Sequence, residues 1–401
     1  MDQGVKEMPQ MRDDVAAIDW ATRARALVPT VEAGAERTER ERAVPTDIMD
    51  ALHQAGLFRM LLPRSLGGGE ATPLAFMEVL EAIATGDGST AWCLGQGLGC
   101  SLVAAFLDPK VAHEIFDDPK AVVAWGPTNA TAKAVKVDGG YRATGKWRFA
   151  SGSRRATWLG GHCNVVDAAG KPVLNSHGKP VSRTLLFPIA KVKLTDVWQV
   201  IGLRGTGSDD YEVNDLFVPD AYTSWRDSQP DRREKGPLYN IPLLTAYGMG
   251  FSGISLGIAR AMLDAFVALS EKKVAGGSSA PLRENAVIQS GVARAEGKLR
   301  SSRAFLVEMI EATWETAKRG EPFPMKQRAL LRIAITGAMN QALEVADFAY
   351  QAAGTNAIFE KSPFERRFRD IHTVSQQGQA HVANFEFAGK ALLGIDPGHR
   401  V

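Results

Sequence analysis

The sequence predicts a mainly α-helical protein with a central β segment, arranged as an N-terminal helical domain over residues 1–120, a β domain over 121–235 and a four-helix bundle over 236–401. Three observations carry that reading. Amphipathic runs with helical spacing fill the first part of the chain; short alternating runs separated by Gly, Pro and Asp turns fill the middle; long segments with apolar residues at steps of four and three close it. At 401 residues the chain exceeds the size at which one core keeps growing, so two or three packed units are expected.

In order along the chain, "IDWATRARALVPTVEAGAERTERER" is amphipathic, and "VPTDIMDALHQAGLFRMLLP" repeats the pattern behind Pro45 and Thr46. After the break "LPRSLGGGEATP", the segment "LAFMEVLEAIATGDGSTAWCLGQGLGCSLVAAFL" is apolar on nearly every face, as expected of helices buried on most sides. From about residue 121 the runs "AVVAW", "TAKAVKVDGGYRATGKWRFAS", "WLGGHCNVV", "RTLLFPIAKVKLTDVW" and "YEVNDLFVP" read as strands. Asp138, Gly139 and Gly140 signal a hairpin that puts Trp147 to Ser153 on the next strand or its exit. A polar linker, "DSQPDRREKGP", precedes the last unit. There Ile288, Val292, Ala295, Leu299, Ser302, Leu306, Met309 and Thr313 form a bundle seam, and segments near 247–273, 325–353 and 368–393 have comparable length.

Charge and cysteine usage narrow the function. Lys and Arg number 47 against 45 Asp and Glu, a formal net charge of +2, which supplies no field for nucleic acid or an anionic membrane. Small molecules and copies of the same chain are the expected partners. Cys93, Cys100 and Cys163 show no paired metal spacing, and their odd number argues for a reducing cytoplasm over a disulfide framework. No apolar run approaches membrane-spanning length, and "MDQGVKEMPQMRDD" carries no apolar core of a signal peptide, so a soluble protein without a metal site is expected.

Four stretches carry a resemblance: "LLPRSLGGGEATPLAFMEVLEAIATGDGSTAW", "GKWRFASGS", "GLRGTGSDDYEVNDLFVP" and "QAAGTNAIFEKSPFERRFRD". In this order they resemble the signatures of the acyl-CoA dehydrogenase family over nearly the whole chain. The resemblance implies the acyl-CoA dehydrogenase fold, with a β-barrel-like middle domain, a flavin between that domain and the bundle, and a homotetramer. It also implies that Trp147, Phe149, Ser151 and Ser153 line the isoalloxazine, with Gly126, Pro127 and Thr128 beside its pyrimidine edge. An aromatic wall and small hydrogen-bonding residues suit a flavin. Alternatively, Trp147 and Phe149 are alternate residues of a strand that buries core. By the same resemblance Gly354 and Thr355 approach the phosphate or ribityl chain, while Gly354 also reads as a helix C-cap. Arg366, Arg367 and Arg369 read as partners in internal ion pairs.

Two departures shift the expected chemistry. Dehydrogenases of the family carry a Glu eight residues past the Arg-Asp aspartate, which removes the α-proton of the thioester; here that position is Gly378, and Tyr247 fills roughly the alternative slot on the first bundle helix. Abstraction of a weakly acidic C–H proton needs a positioned base, which Gly cannot be. The Arg-x-Phe-Gly stretch that holds FAD is replaced by "VAGGSSAPLRENAVIQ", so a shorter flavin, FMN, is expected before FAD, with Arg283 as a phosphate partner. The chain thus resembles the oxygenase components of two-component flavin monooxygenases. That resemblance implies that a separate flavin reductase supplies reduced flavin, that molecular oxygen adds at its C4a, and that the hydroperoxide oxygenates an aromatic, heterocyclic or apolar small molecule. The alternatives are an acyl-CoA dehydrogenase or oxidase with a relocated base and a catalytically silent flavin-binding homologue. Many members of the monooxygenase branch have a His seven residues beyond the aspartate, where this chain has Gln377. Gln can hydrogen-bond but not exchange a proton near neutral pH. His381, read as one helical turn onward on the same face, and Gln96 are the remaining catalytic candidates.

Overall fold

The computed structural model describes residues 18–175, 178–225, 231–274, 276–277 and 279–398. The N-terminal stretch screened for a signal peptide and residues 227–230 of the polar linker lie outside the described residues.

Among the described residues five α-helices come first: α1 (Trp20–Glu41), α2 (Thr46–Gln54), α3 (Pro73–Gly86), α4 (Gly88–Ser101) and α5 (Pro109–Phe116). Local chemistry sets their starts. Thr72 Oγ1 accepts from Ala75 N–H and Pro73 occupies the first turn of α3. Asp87 stops that helix in an extended conformation and caps the next, its Oδ2 accepting from both the N–H and the hydroxyl of Thr90 at 2.8 Å. The apolar segment that reads as buried on most faces is therefore two helices in succession.

Eight strands follow among the described residues: β1 (Val123–Trp125), β2 (Lys133–Val137), β3 (Gly140–Ala150), β4 (Trp158–Val166), β5 (Ser182–Pro188), β6 (Lys193–Thr195), β7 (Asp209–Pro219) and β8 (Thr223–Ser224). They form one sheet in the order β6-β7-β3-β2-β4-β5-β8, with β1 parallel to β4. The expected hairpin is present: Val137 pairs with Gly140 across Asp138 and Gly139, and Gly139 takes a φ of +70° that a side chain would resist. Trp147, Tyr211 and Phe187 fill the core of this sheet, and Trp147 stacks on Tyr211 with ring centroids 5.1 Å apart.

The last part holds α6 (Leu243–Ser270), α7 (Ala286–Arg319), α8 (Met325–Ala353), α9 (Glu365–Val374) and α10 (Ala383–Leu392). On α7 the seam falls where its spacing predicts, with Ala295, Leu299, Ser302, Leu306, Met309 and Thr313 buried. Helix α6 is long and apolar enough to cross a membrane by length and composition, contrary to the expectation of no such run. It is a core helix instead, with 61% of its apolar window buried. Gly253 and Gly257 let it cross α3 at backbone contact, because a Cβ at either would land on the carbonyl oxygens of Met77 and Glu81. The segment expected as one fourth helix near 368–393 is broken: α9 and α10 are separated by residues 375–382.

Candidate active site

A cavity of about 800 Å³ opens where α4, α6, α8, the segment after α9 and the sheet meet, a volume suited to a ligand of cofactor size. Its walls are aromatic: Trp92 of α4, Trp125 of β1, Phe149 of β3, Trp198, and Tyr247 and Phe251 of α6. The Trp92 and Phe251 rings meet edge to face at 4.6 Å. Gly99 makes room for Tyr247, since a Cβ there would sit 2.5 Å from the phenol ring.

The strand side supplies polar edges. Trp92 Nε1 donates to Ser151 Oγ at 3.0 Å; Ser151 and Ser208 hydroxyls lie 2.7 Å apart, as do those of Ser208 and Thr206; and Thr206 Oγ1 donates to the Leu203 carbonyl at 2.9 Å. Pro127 and Thr128 border the same space, after Gly126, where any Cβ would collide with the Arg148 carbonyl. Phe149 enters by a backbone irregularity. Strand alternation puts Trp147 and Phe149 on one face, yet the β3–β7 register shifts between Trp147 and Ala150, and Phe149 adopts a φ of +60°. The bulge turns Phe149 outward, 48% exposed, while Trp147 stays fully buried and donates through Nε1 to the His162 carbonyl at 3.1 Å.

The bundle side is built on the break after α9. Thr336 Oγ1 donates to the Gln379 carbonyl at 2.8 Å, Asn340 Nδ2 to the Ala380 carbonyl at 2.9 Å, and Asn384 Nδ2 to the Gly378 carbonyl at 2.9 Å. These donors hold Gln376, Gln377, Gly378 and Gln379 along the cavity. Gln377 Nε2 reaches Met339 Sδ at 3.2 Å, and Gln96 Nε2 donates to the Trp125 carbonyl at 3.0 Å.

Of the residues singled out in the sequence, Gln377, Gln96, Pro127, Thr128, Phe149 and Ser151 share this cavity. Trp147 belongs to the strand core, and Ser153 is buried with its hydroxyl toward the Gly207 carbonyl. His381 is exposed and accepts from Ala383 N–H at 3.1 Å, because α9 ends at Val374 and no continuous helix carries His381 back to the face of Gln377. Arg283 is exposed in the turn before α7, and Gly354 and Thr355 are exposed at the end of α8; none of the three borders the cavity within this chain. His372 pairs with Asp347 at 2.9 Å. Arg367 and Arg369 make the expected ion pairs, with Glu32 at 2.9 Å and with Glu39 at 2.7 Å. Sequence reasoning missed Trp92, Trp198, Phe251, Arg332 and the cavity-facing position of His162. Trp92 and Gln96, like Tyr247 and Phe251, are one helical turn apart, the signal that could have grouped them.

Two electrostatic features frame the site. Among the described lining residues there is no Asp or Glu. Gly378 borders the cavity, and a Cβ built on it meets no atom within 4 Å. Just outside, Asp370 is fully buried and accepts from Leu203 N–H at 2.6 Å, tying α9 to the 203–208 wall. Burial, and then the neighbouring Asp87 carboxylate, push its pKa up to about 7.

A cavity with aromatic walls and a hydrogen-bonding rim, set between a strand domain and a helical bundle, fits a flavin. The N-terminal domain model of acyl-CoA dehydrogenases matches residues 20–114 and the C-terminal domain model matches residues 249–382. The chain belongs to the acyl-CoA dehydrogenase family, and within it the chain is a flavin-dependent oxidoreductase of the monooxygenase branch. It is 32% identical to an indole-3-acetate monooxygenase of Pseudomonas putida, over 90% of each chain. It is 28% identical to the oxygenase subunit HsaA, a flavin-dependent monooxygenase of Rhodococcus jostii, over 90% of this chain and 93% of that one. Among solved structures, XiaF from Streptomyces in complex with FADH2 superposes with a TM-score of 0.87 at 24% identity, over 94% of this chain and 96% of that one.

Proposed function

We propose that this chain is the oxygenase component of a two-component system that inserts one oxygen atom into an aromatic or heteroaromatic small molecule. The observation that carries the reading is the absence of a carboxylate among the described cavity residues, together with the open position at Gly378. α,β-Dehydrogenation of a thioester has no base here. Phe149, Ser151, Pro127 and Thr128 would hold the flavin from the strand side. Bound there, reduced flavin supplies the electrons for activating oxygen, one atom of which goes to the substrate and the other to water.

The chain's own residues would do three things. Trp92, Tyr247 and Phe251 offer ring faces and edges to a flat substrate, a geometry favoured between aromatic partners. The apolar walls exclude bulk water from the reacting atoms. The amides of Gln96 and Gln377 orient polar groups by hydrogen bonds, and the Tyr247 phenol and the His162 imidazole, with the lining Ser and Thr hydroxyls, would donate or relay a proton. The P. putida relative's activity, that of an indole-3-acetate monooxygenase, supports a bicyclic heteroaromatic substrate. A homotetramer belongs to the same reading, supported by the exposed Val382, Leu393 and Ile395 around α10, which suit burial against another copy.

The test is turnover under labelled dioxygen with an added NADH-dependent flavin reductase. Uptake of one labelled oxygen atom per indole-3-acetate, only when the reductase is present, is the expected result. Bleaching of bound oxidised flavin by acyl-CoA with electron transfer to a dye would overturn it in favour of a dehydrogenase.

A further inference from the structure

Arg332, on α8, is the only permanently charged side chain among the described residues lining the cavity. It is half-buried, and burial together with the nearby Arg328 lowers its pKa from the ordinary guanidinium value. Its Nη1 donates to the neutral Gln379 Oε1 at 2.7 Å, and no carboxylate lies within ion-pair distance among the described residues. Other half-buried arginines are either paired with a carboxylate, as Arg260 is with Glu296 at 2.8 Å, Arg303 with Glu81 at 2.9 Å and Arg369 with Glu39 at 2.7 Å, or are held by neutral oxygens away from the cavity, as Arg155 is by the Val44 carbonyl at 2.8 Å. Arg332 alone among the described arginines lines the cavity. An uncompensated cation at the wall of an apolar cavity is costly unless a ligand neutralises it.

The geometry points to an anion anchor: we propose that Arg332 binds a carboxylate on the substrate, so that the chain takes aromatic acids in preference to their neutral analogues. This rests on the monooxygenase reading and narrows it. Gln379 acts as the buttress. Its Nε2 donates to the Leu244 carbonyl at 3.1 Å, which turns its Oε1 toward the guanidinium. One of the five N–H groups of Arg332 is thereby used, and the rest of the planar fork is available for the two oxygens of a carboxylate. Among the described residues no lining acid opposes such an anion. The anchor sits on the bundle side beside Leu244 and the Gln376–Gln379 turn, across the cavity's elements from the Ser151 and Thr128 edge assigned to the flavin. Arg332 and the rings of Trp92, Tyr247 and Phe251 line the same cavity, so the anchor would take the carboxylate of a ring held among those aromatics.

The experiment is anaerobic calorimetry of the chain saturated with reduced flavin, using indole-3-acetate and indole-3-acetamide as paired probes, for the native protein and for Arg332→Gln and Arg332→Lys. Native protein is expected to bind the acid at least about tenfold tighter than the amide, as charge-assisted pairing predicts. In Arg332→Gln that ratio falls towards one, and Arg332→Lys keeps part of it, having the charge without the fork. Flavin affinity, measured in the same variants, stays within about twofold of native. A native ratio near one, or an unchanged ratio in Arg332→Gln, overturns the anchor. A tenfold loss of flavin affinity also overturns it and assigns Arg332 to the flavin phosphate. Should Arg332→Gln fail to fold, the acid-to-amide ratio of native protein and Arg332→Lys decides. Turnover with oxygen and reductase is scored separately: tight acid binding without oxygenation supports the anchor while counting against the monooxygenase reading.

Discussion

Gly378 borders the cavity and has open space where a Cβ would stand, so Gly378→Glu can place a carboxylate at the position that a dehydrogenase base would occupy. The variant is expected to keep native stability to within about 0.5 kcal/mol, as for substitutions that meet no neighbour. Its oxygenation rate is expected to fall at least about tenfold, because the new carboxylate stands beside the reacting end and competes with the substrate for Arg332. Thermal melts and oxygen-uptake assays read the two effects, and native turnover in Gly378→Glu would contradict the assignment of this wall to the reacting end. Asp370 is a second informative position. Its folded pKa, about 7, stands above the ordinary 3.8, so protonation favours the folded state. That stabilisation is complete below about pH 4 and is lost as pH climbs through about 7. Asp370→Asn keeps an acceptor for Leu203 N–H without the charge, so its stability should vary less between pH 4 and 8. At pH 8 it should exceed native by about 1–3 kcal/mol in urea titrations; parallel pH profiles for the two proteins would refute the linkage. The missing carboxylate at Gly378 was legible in the sequence because the Arg-Asp register counts residues without needing a fold. Trp147 was misplaced because a bulge at Phe149 reverses the alternation, and that bulge depends on the pairing of β3 with β7.

Helix α6 crosses α3 where glycines remove side chains, and the contact positions both cavity aromatics of α6. Gly257→Ala drives a methyl into the Glu81 carbonyl and to 2.9 Å from Ala84 Cβ. Neither helix backbone can give way cheaply, so a loss of about 2–4 kcal/mol is expected, with a fall in turnover as Tyr247 and Phe251 shift. Gly297→Ala on α7 is the control: nothing lies within 4 Å of its Cβ, and the better helix propensity should stabilise by about 0.5–1 kcal/mol. Urea midpoints of the two variants should move in opposite directions, and a common direction would show that the crossing is not tight. At this scale the seam of α7 was legible because its period survives packing. The break between α9 and α10 was not. "SQQGQAH" has a single glycine, and the break depends on Thr336, Asn340 and Asn384, whose donors capture the carbonyls of residues 378–380. That capture turns Gln377 into the cavity and leaves His381 outside it.

The order of helices, strands and helices could be read from periodicity, whereas the cavity could not, since its walls come from segments more than 250 residues apart and only the folded chain brings them together. Arg369 is one of the braces that hold those segments. Its guanidinium pairs with Glu39 of α1 at 2.7 Å and Glu365 of α9 at 2.5 Å, and donates to the Ile201 carbonyl at 2.7 Å. Through Ile201 it steadies the stretch that runs on to Trp198, Leu203, Thr206 and Ser208, the strand-side wall of the cavity. A second chain of charges, Asp209–Arg154–Asp196–Arg42, joins β7 to the end of α1 with contacts of 2.7, 3.0 and 2.6 Å. Because these braces cross between the helical and strand parts, removing one should loosen the cavity along with the fold. Arg369→Ala leaves Glu39 and Glu365 facing each other without their shared cation and frees the Ile201 carbonyl. A destabilisation of about 2–4 kcal/mol is expected, the range for breaking a largely buried, hydrogen-bonded pair. Flavin affinity should fall in the same variant, although Arg369 does not border the cavity, since the wall it steadies would sample wider positions. Arg300→Ala, whose side chain is 79% exposed and pairs with Glu296 one turn away, should change stability by less than about 0.5 kcal/mol and leave flavin affinity unaltered. Equilibrium unfolding and flavin titration on both variants measure the contrast. If Arg369→Ala lost stability but bound flavin as tightly as native protein, the brace would hold the helices together without shaping the site.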